Sequence, residues 1–317
     1  MAVEKKKILV LFGKANWKEN VPFKKKPQYR FCYERLYSMA EKENIEIFRA
    51  SYEWFDWDRK VFVNAWAFSG GEWRKVHDIV PDAIYDKTKH NTKAQLARER
   101  LAKIFKIFND PAFTLLLSSK LDTSLLFPEY MKKSYSLNNE QDLFDILPEI
   151  KTEKIVLKPI NGSGGDGVEI VDKNVASSIK LHFPALAQEF IDSSKGIPGL
   201  TDSTHDLRIV VVKEEVIYAY IRTPKRGSLL ANLAQGGTMK IVPLEEIPQA
   251  VLGIVNGVKN KLADYGNSVY TIDLMFDENN KPWVIELNTM PGMYFAPGQE
   301  EWMDRMYSQL IEIFKAI

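Results

Sequence analysis

Two carboxylates near the end of the chain, Asp273 and Glu286, interrupt runs that are otherwise apolar, 269–276 and 283–288, joined by the polar stretch 277–282. Both runs read as strands and the polar stretch as a hairpin loop. With Phe276 opposite Trp283, Asp273 lies across from Glu286, and Asn288 follows two residues on along the same face. Like charges at about 4 Å repel by about 4 kcal/mol at an effective dielectric near 20, so the pair either shares a proton or holds a cation. Two carboxylates and an amide oxygen suit a hard divalent cation completed by water or phosphate. The plain alternative is a solvated hairpin with incidental acids.

Upstream, an apolar strand carrying Lys158 enters a loop built from Gly162, Ser163, Gly164, Gly165 and Gly167, and a second apolar strand follows. Glycines let backbone N–H groups approach a phosphate, and Lys158 can bring charge to the same anion. Neither a Walker loop nor a dinucleotide fingerprint fits, because both open a helix. An ordinary glycine hairpin fits the same residues equally well. Further on, Asp206 and Arg208 begin an apolar run and share a face by the strand period, where a simple salt bridge between them is the bland reading. Arg222 ends another strand-like run, 217–222.

The elements that must position these residues open with a β-α-β pattern. Residues 8–12 form an apolar strand, Tyr29, Cys32, Tyr33, Leu36 and Ala40 recur at helical spacing after Pro27, and 45–48 form a second strand. A strand edge is expected over 78–85, and Leu96, Leu101, Ile104, Phe105 and Phe108 predict a helix capped near Asn91. The aromatic-rich segment 52–73 reads as packing. Trp302, Met306, Leu310, Ile313 and Phe314 predict a C-terminal helix with an apolar stripe.

The ordered motifs over roughly 109–295 resemble the ATP-grasp ligases, most of all the RimK-type ribosomal-protein glutamate ligases and bacterial glutathione synthetase. The resemblance implies an α/β chain in which a small doubly wound domain, 1–108, precedes a two-lobed α+β ATP-grasp domain, 109–317. The latter divides into an ATP-binding lobe, 109–190, and a metal and catalytic lobe, 191–317. It implies that Lys120 and Lys158 contact the nucleotide and that 162–167 is a lid over its phosphates. The hinge Gln188, Glu189, Phe190 and Ile191 would hold adenine, with Asp206 on the ribose. Arg208 and Arg222 would meet the phosphoryl and acyl-phosphate groups, with Asn232 near the triphosphate. ATP and Mg²⁺, with Mn²⁺ as a substitute ion, are the implied cofactors, and the metal ligands are Asp273, Glu286 and Asn288. One departure stands out: where the protein-glutamylating members carry an arginine two residues before the asparagine, this chain has Leu230.

The activity implied is amide or peptide bond formation between a carboxylate and an amine through an acyl phosphate, on an amino acid or peptide. A phosphotransferase of the same superfamily and a nucleotide-binding module without turnover are the alternatives. The chain has 317 residues with a net charge of +1, which removes the global electrostatic case for nucleic acid. One cysteine, Cys32, excludes an intrachain disulfide, and no apolar run reaches membrane-spanning length. The expected setting is the cytoplasm, with small-molecule or peptide substrates, no nucleic-acid or membrane partner, and homo-oligomerisation left open.

Overall fold

The computed structural model describes residues 4–13, 17–19, 21–89, 91–162, 164–231 and 236–317. Three sheets carry the chain, and each is built where the sequence offers apolar residues at strand period. The first contains β1 (Lys6–Phe12), β2 (Ile45–Ser51), β5 (Ala65–Ser69), β6 (Glu72–Val76), β7 (Ala83–Asp86) and β8 (Lys106–Phe108), in the order β6-β5-β2-β1-β7-β8. Strands β2, β1, β7 and β8 run parallel, and the β5–β6 hairpin adds antiparallel to β2. The short β3 (Phe55–Asp56) and β4 (Val61–Phe62) pair with each other beside it.

Helix α1 (Pro27–Lys42) starts at a proline and buries Cys32, Tyr33, Leu36, Tyr37 and Ala40, the stripe its spacing predicts. Helix α2 (Thr92–Leu101) is capped by the Asn91 side chain on Ala94 N, as expected, but it ends before Ile104, Phe105 and Phe108. Residues 106–108 instead extend the sheet as β8, while Leu96 and Ile104 are exposed. The helix turns Ala94, Ala97, Arg98 and Leu101 inward, and Arg98 is satisfied there by Asp86, Gln95 and Thr88. Strand β7 lies inside the sheet between β1 and β8, not at its edge. In the aromatic segment, Phe55, Phe62, Trp66 and Phe68 are buried, with Phe55 and Phe62 ring centroids 4.9 Å apart.

After α3 (Pro111–Ser118) and α4 (Lys120–Leu126), the second sheet takes β9 (Ser134–Leu137), β10 (Lys154–Pro159), β11 (Glu169–Asp172) and β12 (Ala185–Glu189) in the order β11-β10-β12-β9. It is backed by α5 (Glu140–Ile146), and all its pairs are antiparallel. The third sheet has the order β15-β14-β13-β16-β17, from β13 (Asp206–Val212), β14 (Glu215–Thr223), β15 (Thr238–Val242), β16 (Val269–Phe276) and β17 (Pro282–Asn288). Helix α6 (Gln249–Leu262) packs on one of its faces through Val251, Val255 and Val258.

Helix α7 (Glu300–Ala316) covers the other face of the third sheet. Its Met306, Tyr307, Leu310 and Phe314 join one continuous core with Ile8 and Val10 of the first sheet, Cys32 and Leu36 of α1, and Val210 and Tyr218 of the third sheet. Each such side chain contributes roughly 1.5–3 kcal/mol on burial, so the last helix fastens the start of the chain to its end. Among the described residues no helix is long and apolar enough to cross a membrane.

Candidate functional site

A cleft opens between the second and third sheets, enclosing about 1020 Å³ of space including its mouth. Its apolar walls come from Val156 on β10 and Ile170 on β11, with Val168 beside them, and from Met275 and Ile285 on the hairpin opposite. Two flat apolar surfaces facing each other across such a gap suit a planar aromatic ring. Val156 was legible in principle, since it stands two residues before Lys158 and therefore on the same face. Met275 was too, two residues after Asp273, whereas Ile285 and Glu286 come to share the cleft face only through a local irregularity in the hairpin.

That irregularity is a bulge. From the turn, Phe276 pairs with Pro282, Met275 with Trp283 and Leu274 with Val284. The expected pairing of Phe276 with Trp283 is therefore off by one residue. Continued unbroken, this register would set Ile285 opposite Asp273 and turn Glu286 to the sheet's other face. The extra residue at Ile285 shifts the register, so Asp273 does pair with Glu286, and Thr271 with Asn288. Ile285 and Glu286 both line the cleft as a result.

The facing acids already have partners. Asp273 is 1% exposed and takes Arg208 Nε on Oδ1 at 2.6 Å, Arg208 Nη2 on Oδ2, and Arg222 Nη2 on Oδ2 at 2.8 Å. The same Nη2 of Arg222 reaches Asp206 Oδ2. Cross-strand register sets these contacts: Asp206 stands opposite Arg222 and Arg208 opposite Asp273. Asp206 and Arg208 thus pair across strands and not with each other. Burial pushes the Asp273 carboxyl up, but Arg208 and Arg222 outweigh it and hold the group below the ordinary carboxylate range. Asp206 moves the other way, to about 7, because burial and the nearby Asp273 outweigh Arg222. Its Oδ1 is buried with no hydrogen-bond partner and its residue lines the cleft, so a hydroxyl donor from a ligand would satisfy it.

Lys158 Nζ donates to Gln188 Oε1 at 2.8 Å, and burial lowers its pKa to about 8. Glu286 draws that value up and Lys120 draws it down. Lys120 opens α4, is 8% exposed, donates to the carbonyl of Gly162 at 2.8 Å, and lies 3.3 Å from Glu286 Oε1. Two buried lysines and one glutamate at the end of an apolar slot leave excess positive charge for an anion. Gly162, which accepts from Lys120, and Gly165 of the glycine loop line the same cleft. Gly162, Gly164, Gly165 and Gly167 all have positive φ, and a Cβ on Gly167 would come within 3.0 Å of Pro159.

Strand β12, which carries Gln188 and Glu189, is an inner strand between β10 and β9, so its backbone groups are taken up by the sheet along its length. Any backbone reading of a ring must therefore come where the strand ends, at 189–191. There Phe190 N donates to Thr152 Oγ1 at 3.2 Å, and Glu189, Phe190 and Ile191 all line the cleft. Leu229, Leu230 and Ala231, in the connection that follows β14, also line it. Arg208, Arg222, Asp273 and Asn288 are not among the cleft-lining residues; the first three form the charged layer beside Asp206. Ser163 and Asn232 lie outside the described residues.

For a metal ion, the donor types of Asp273, Glu286 and Asn288 are all hard oxygens. A carboxylate offers about four lone-pair sites, and the guanidinium contacts on Asp273 take three, leaving one beside the free sites of Glu286. The set fits a cation held largely by phosphate and water. Among the described residues no cluster of three or more His, Cys, Asp or Glu gathers to hold a metal with protein ligands alone.

Two sheets gripping an apolar, lysine-ended cleft beneath a glycine loop, with an acidic hairpin at its base, define an ATP-grasp protein. A RimK-like ATP-grasp domain is matched over residues 124–298, more than half of the chain, and the chain belongs to that family of ligases, whose members use ATP and Mg²⁺. A probable alpha-L-glutamate ligase of Legionella pneumophila (strain Corby) is 31% identical over 158 residues, covering 48% of this chain and 47% of that protein. The chain spans about half the length of the curated relatives it matches. The crystal structure of D-alanyl-alanine synthetase A from Vibrio cholerae O1 biovar eltor is similar at a TM-score of 0.67 and 12% identity, covering 99% of each chain. The ATP-grasp ligase PsnB, complexed with minimal precursor, Mg and ADP, is similar at 0.58 and 12%, covering 98% of this chain and 96% of its own. At such identities these structures bear on the fold.

Proposed function

We propose that the chain is an ATP- and Mg²⁺-dependent carboxylate–amine ligase that forms an amide through an acyl phosphate. The observation that carries this reading is the junction of Lys120, Lys158 and Glu286, at the inner end of the apolar cleft, with the buried Asp206–Arg222–Asp273–Arg208 cluster. The apolar walls and residues 189–191 hold the adenine, and Asp206 Oδ1 accepts a ribose hydroxyl. Lys120 and Lys158 bind phosphate oxygens in the ground state. Asp273, Glu286 and Asn288 would hold Mg²⁺, which neutralises phosphate charge when bound.

A substrate carboxylate oxygen attacks the γ-phosphorus and ADP departs, which turns a poor electrophile into an acyl phosphate. The amine then adds to the acyl carbon, phosphate leaves, and the amine's proton goes to solvent. No protein nucleophile takes part. Arg208 and Arg222, locked by Asp273 and Asp206, are preorganised cations for the charge that develops during transfer. The glycine loop excludes water that would hydrolyse the intermediate.

The matched relatives' name makes glutamate the amino acid to try first, while Leu230 in place of an arginine argues for a different partner carboxylate or amine. The test is a phosphate-release screen with ATP and Mg²⁺ over pairs of carboxylates and amines, followed by the mass of the product. Release that requires both substrates and yields the mass of their amide supports the reading. A phosphorylated product formed without any amine would make the chain a phosphotransferase instead.

A further inference from the structure

Arg49 lies on β2, away from the cleft, and is 7% exposed. Its guanidinium carbon stands 3.2 Å from the ring centroid of Phe12 and 4.2 Å from that of Phe23, with Tyr33 at 5.7 Å. Nη1 is buried and has no hydrogen-bond partner, and among the described residues no carboxylate pairs with the side chain. The Tyr33 hydroxyl is its polar support. Among the described residues the other buried arginines, Arg98 and Arg222, and the largely buried Arg208, each hold a carboxylate. Aromatic faces offset part of the cost of a buried cation, but they do not replace a counter-ion along the fork's edge.

The location points the same way. Arg49 pairs in register with Val10, close to the carboxyl ends of the parallel strands β1 and β2, and open α/β sheets receive ligands at that end. On the other side of β1, just after β7, Lys87 has no acid partner among the described residues: its Nζ donates to the carbonyl of Pro291 at 2.6 Å, burial lowers its pKa to about 7, and the neighbouring Asp86 is committed to Arg98. Pro291 belongs to the segment that leaves β17 directly after Asn288. The ring of Tyr294 in that segment lies tilted against Tyr29 at 5.6 Å, and Tyr29 in turn lies 5.8 Å from Phe23 of the arginine's cage. An aromatic surface thus connects the proposed metal hairpin to Arg49.

We infer that Arg49 is a specificity residue, binding the non-reacting carboxylate of an amino-acid substrate at the carboxyl end of the first sheet, with Lys87 on the opposite flank. This deepens the ligase reading and rests on it for the identity of the substrate, but the anion site itself does not depend on turnover. A guanidinium fork reads a carboxylate through two parallel hydrogen bonds, which a carboxamide cannot reciprocate.

The experiment compares the full-length protein with R49M and R49K in two measurements. In the first, turnover with ATP is followed with free L-amino acids and with their α-carboxamides. The wild type should prefer the free acid at least tenfold in kcat/KM. R49M should erase the preference by raising KM for the acid while KM for ATP stays put, and R49K should fall between. In the second, thermal melting is followed with 10 mM L-glutamate or its α-carboxamide and no nucleotide. Glutamate alone should raise Tm of the wild type, and R49M should lose that response. R49M that keeps the acid preference overturns the inference. So does a wild-type Tm indifferent to glutamate and to its amide alike. If no substrate pair turns over but the Tm response holds and needs Arg49, the ligase reading fails and the anion site stands.

Discussion

At the scale of single residues, the difference between the two facing acids decides what their removal does. Asp273 neutralises two buried guanidiniums, whereas Glu286 is partly exposed and meets Lys120 at 3.3 Å. Taking the charge off Asp273 leaves Arg208 without a paired carboxylate and Arg222 with only Asp206, and breaking such a buried pair costs about 3–5 kcal/mol. Asp273→Asn is therefore expected to lose both Mg²⁺-dependent turnover and several degrees of Tm. Glu286→Gln should lose the turnover with stability within roughly 0.5 kcal/mol of wild type. Urea titrations of the two variants distinguish this from a simple repelling pair, which would make both neutral or stabilising.

Lys158 gives a second prediction at this scale. Burial depresses it to about 8, so near pH 8 the ligand-free lysine is about half charged, and phosphate oxygens would restore the full charge. Nucleotide binding should then take up roughly half a proton at pH 8 and almost none at pH 6, where the lysine is already protonated. Calorimetry in buffers of different ionisation enthalpy reads this directly. An uptake that persists in Lys158→Met would show that another group is responsible.

At the scale of elements, the strands and helices that carry the site were largely legible, and their neighbours were not. The strand period gave Asp206, Arg208, Lys158 and Arg222 their faces, but which strand lies beside which is a property of the sheet. Asp206 with Arg222 and Arg208 with Asp273 therefore appear only once β14 and β16 flank β13. The bulge at Ile285 was invisible for the same reason: a run of apolar residues does not mark which one is extra. The end of α2 failed differently, because Phe105 and Phe108 continue a helical stripe while also serving the sheet. The glycine loop is where an element carries a testable function. Gly164 and Gly165 both have φ of +79°, a region that costs an alanine roughly 1–2 kcal/mol. Changing both to alanine should weaken closure over the phosphates, lowering turnover and raising phosphate released per amide above one. Normal turnover at one phosphate per amide would mean that 162–167 is not the lid.

At the scale of the molecule, the first and last thirds of the chain share one core through α7. A Leu310→Ala cavity, costing about 2–5 kcal/mol, should lower the stability of the first sheet as well as the third, so calorimetry should show one transition moving as a whole. Two separating transitions would make the 1–108 region an independent unit. The same construction holds the third sheet's charged layer, the hairpin and the second sheet's lysines around one cleft, which is what a ligase needs to pass a carboxylate from phosphate to amine. The most direct test of that claim uses the carboxylate substrate found by the phosphate-release screen, labelled with ¹⁸O in its carboxyl group. The account predicts that each amide formed releases one phosphate carrying one ¹⁸O from the substrate, with ADP as the nucleotide product. Unlabelled phosphate, or AMP with pyrophosphate, would contradict an acyl-phosphate mechanism.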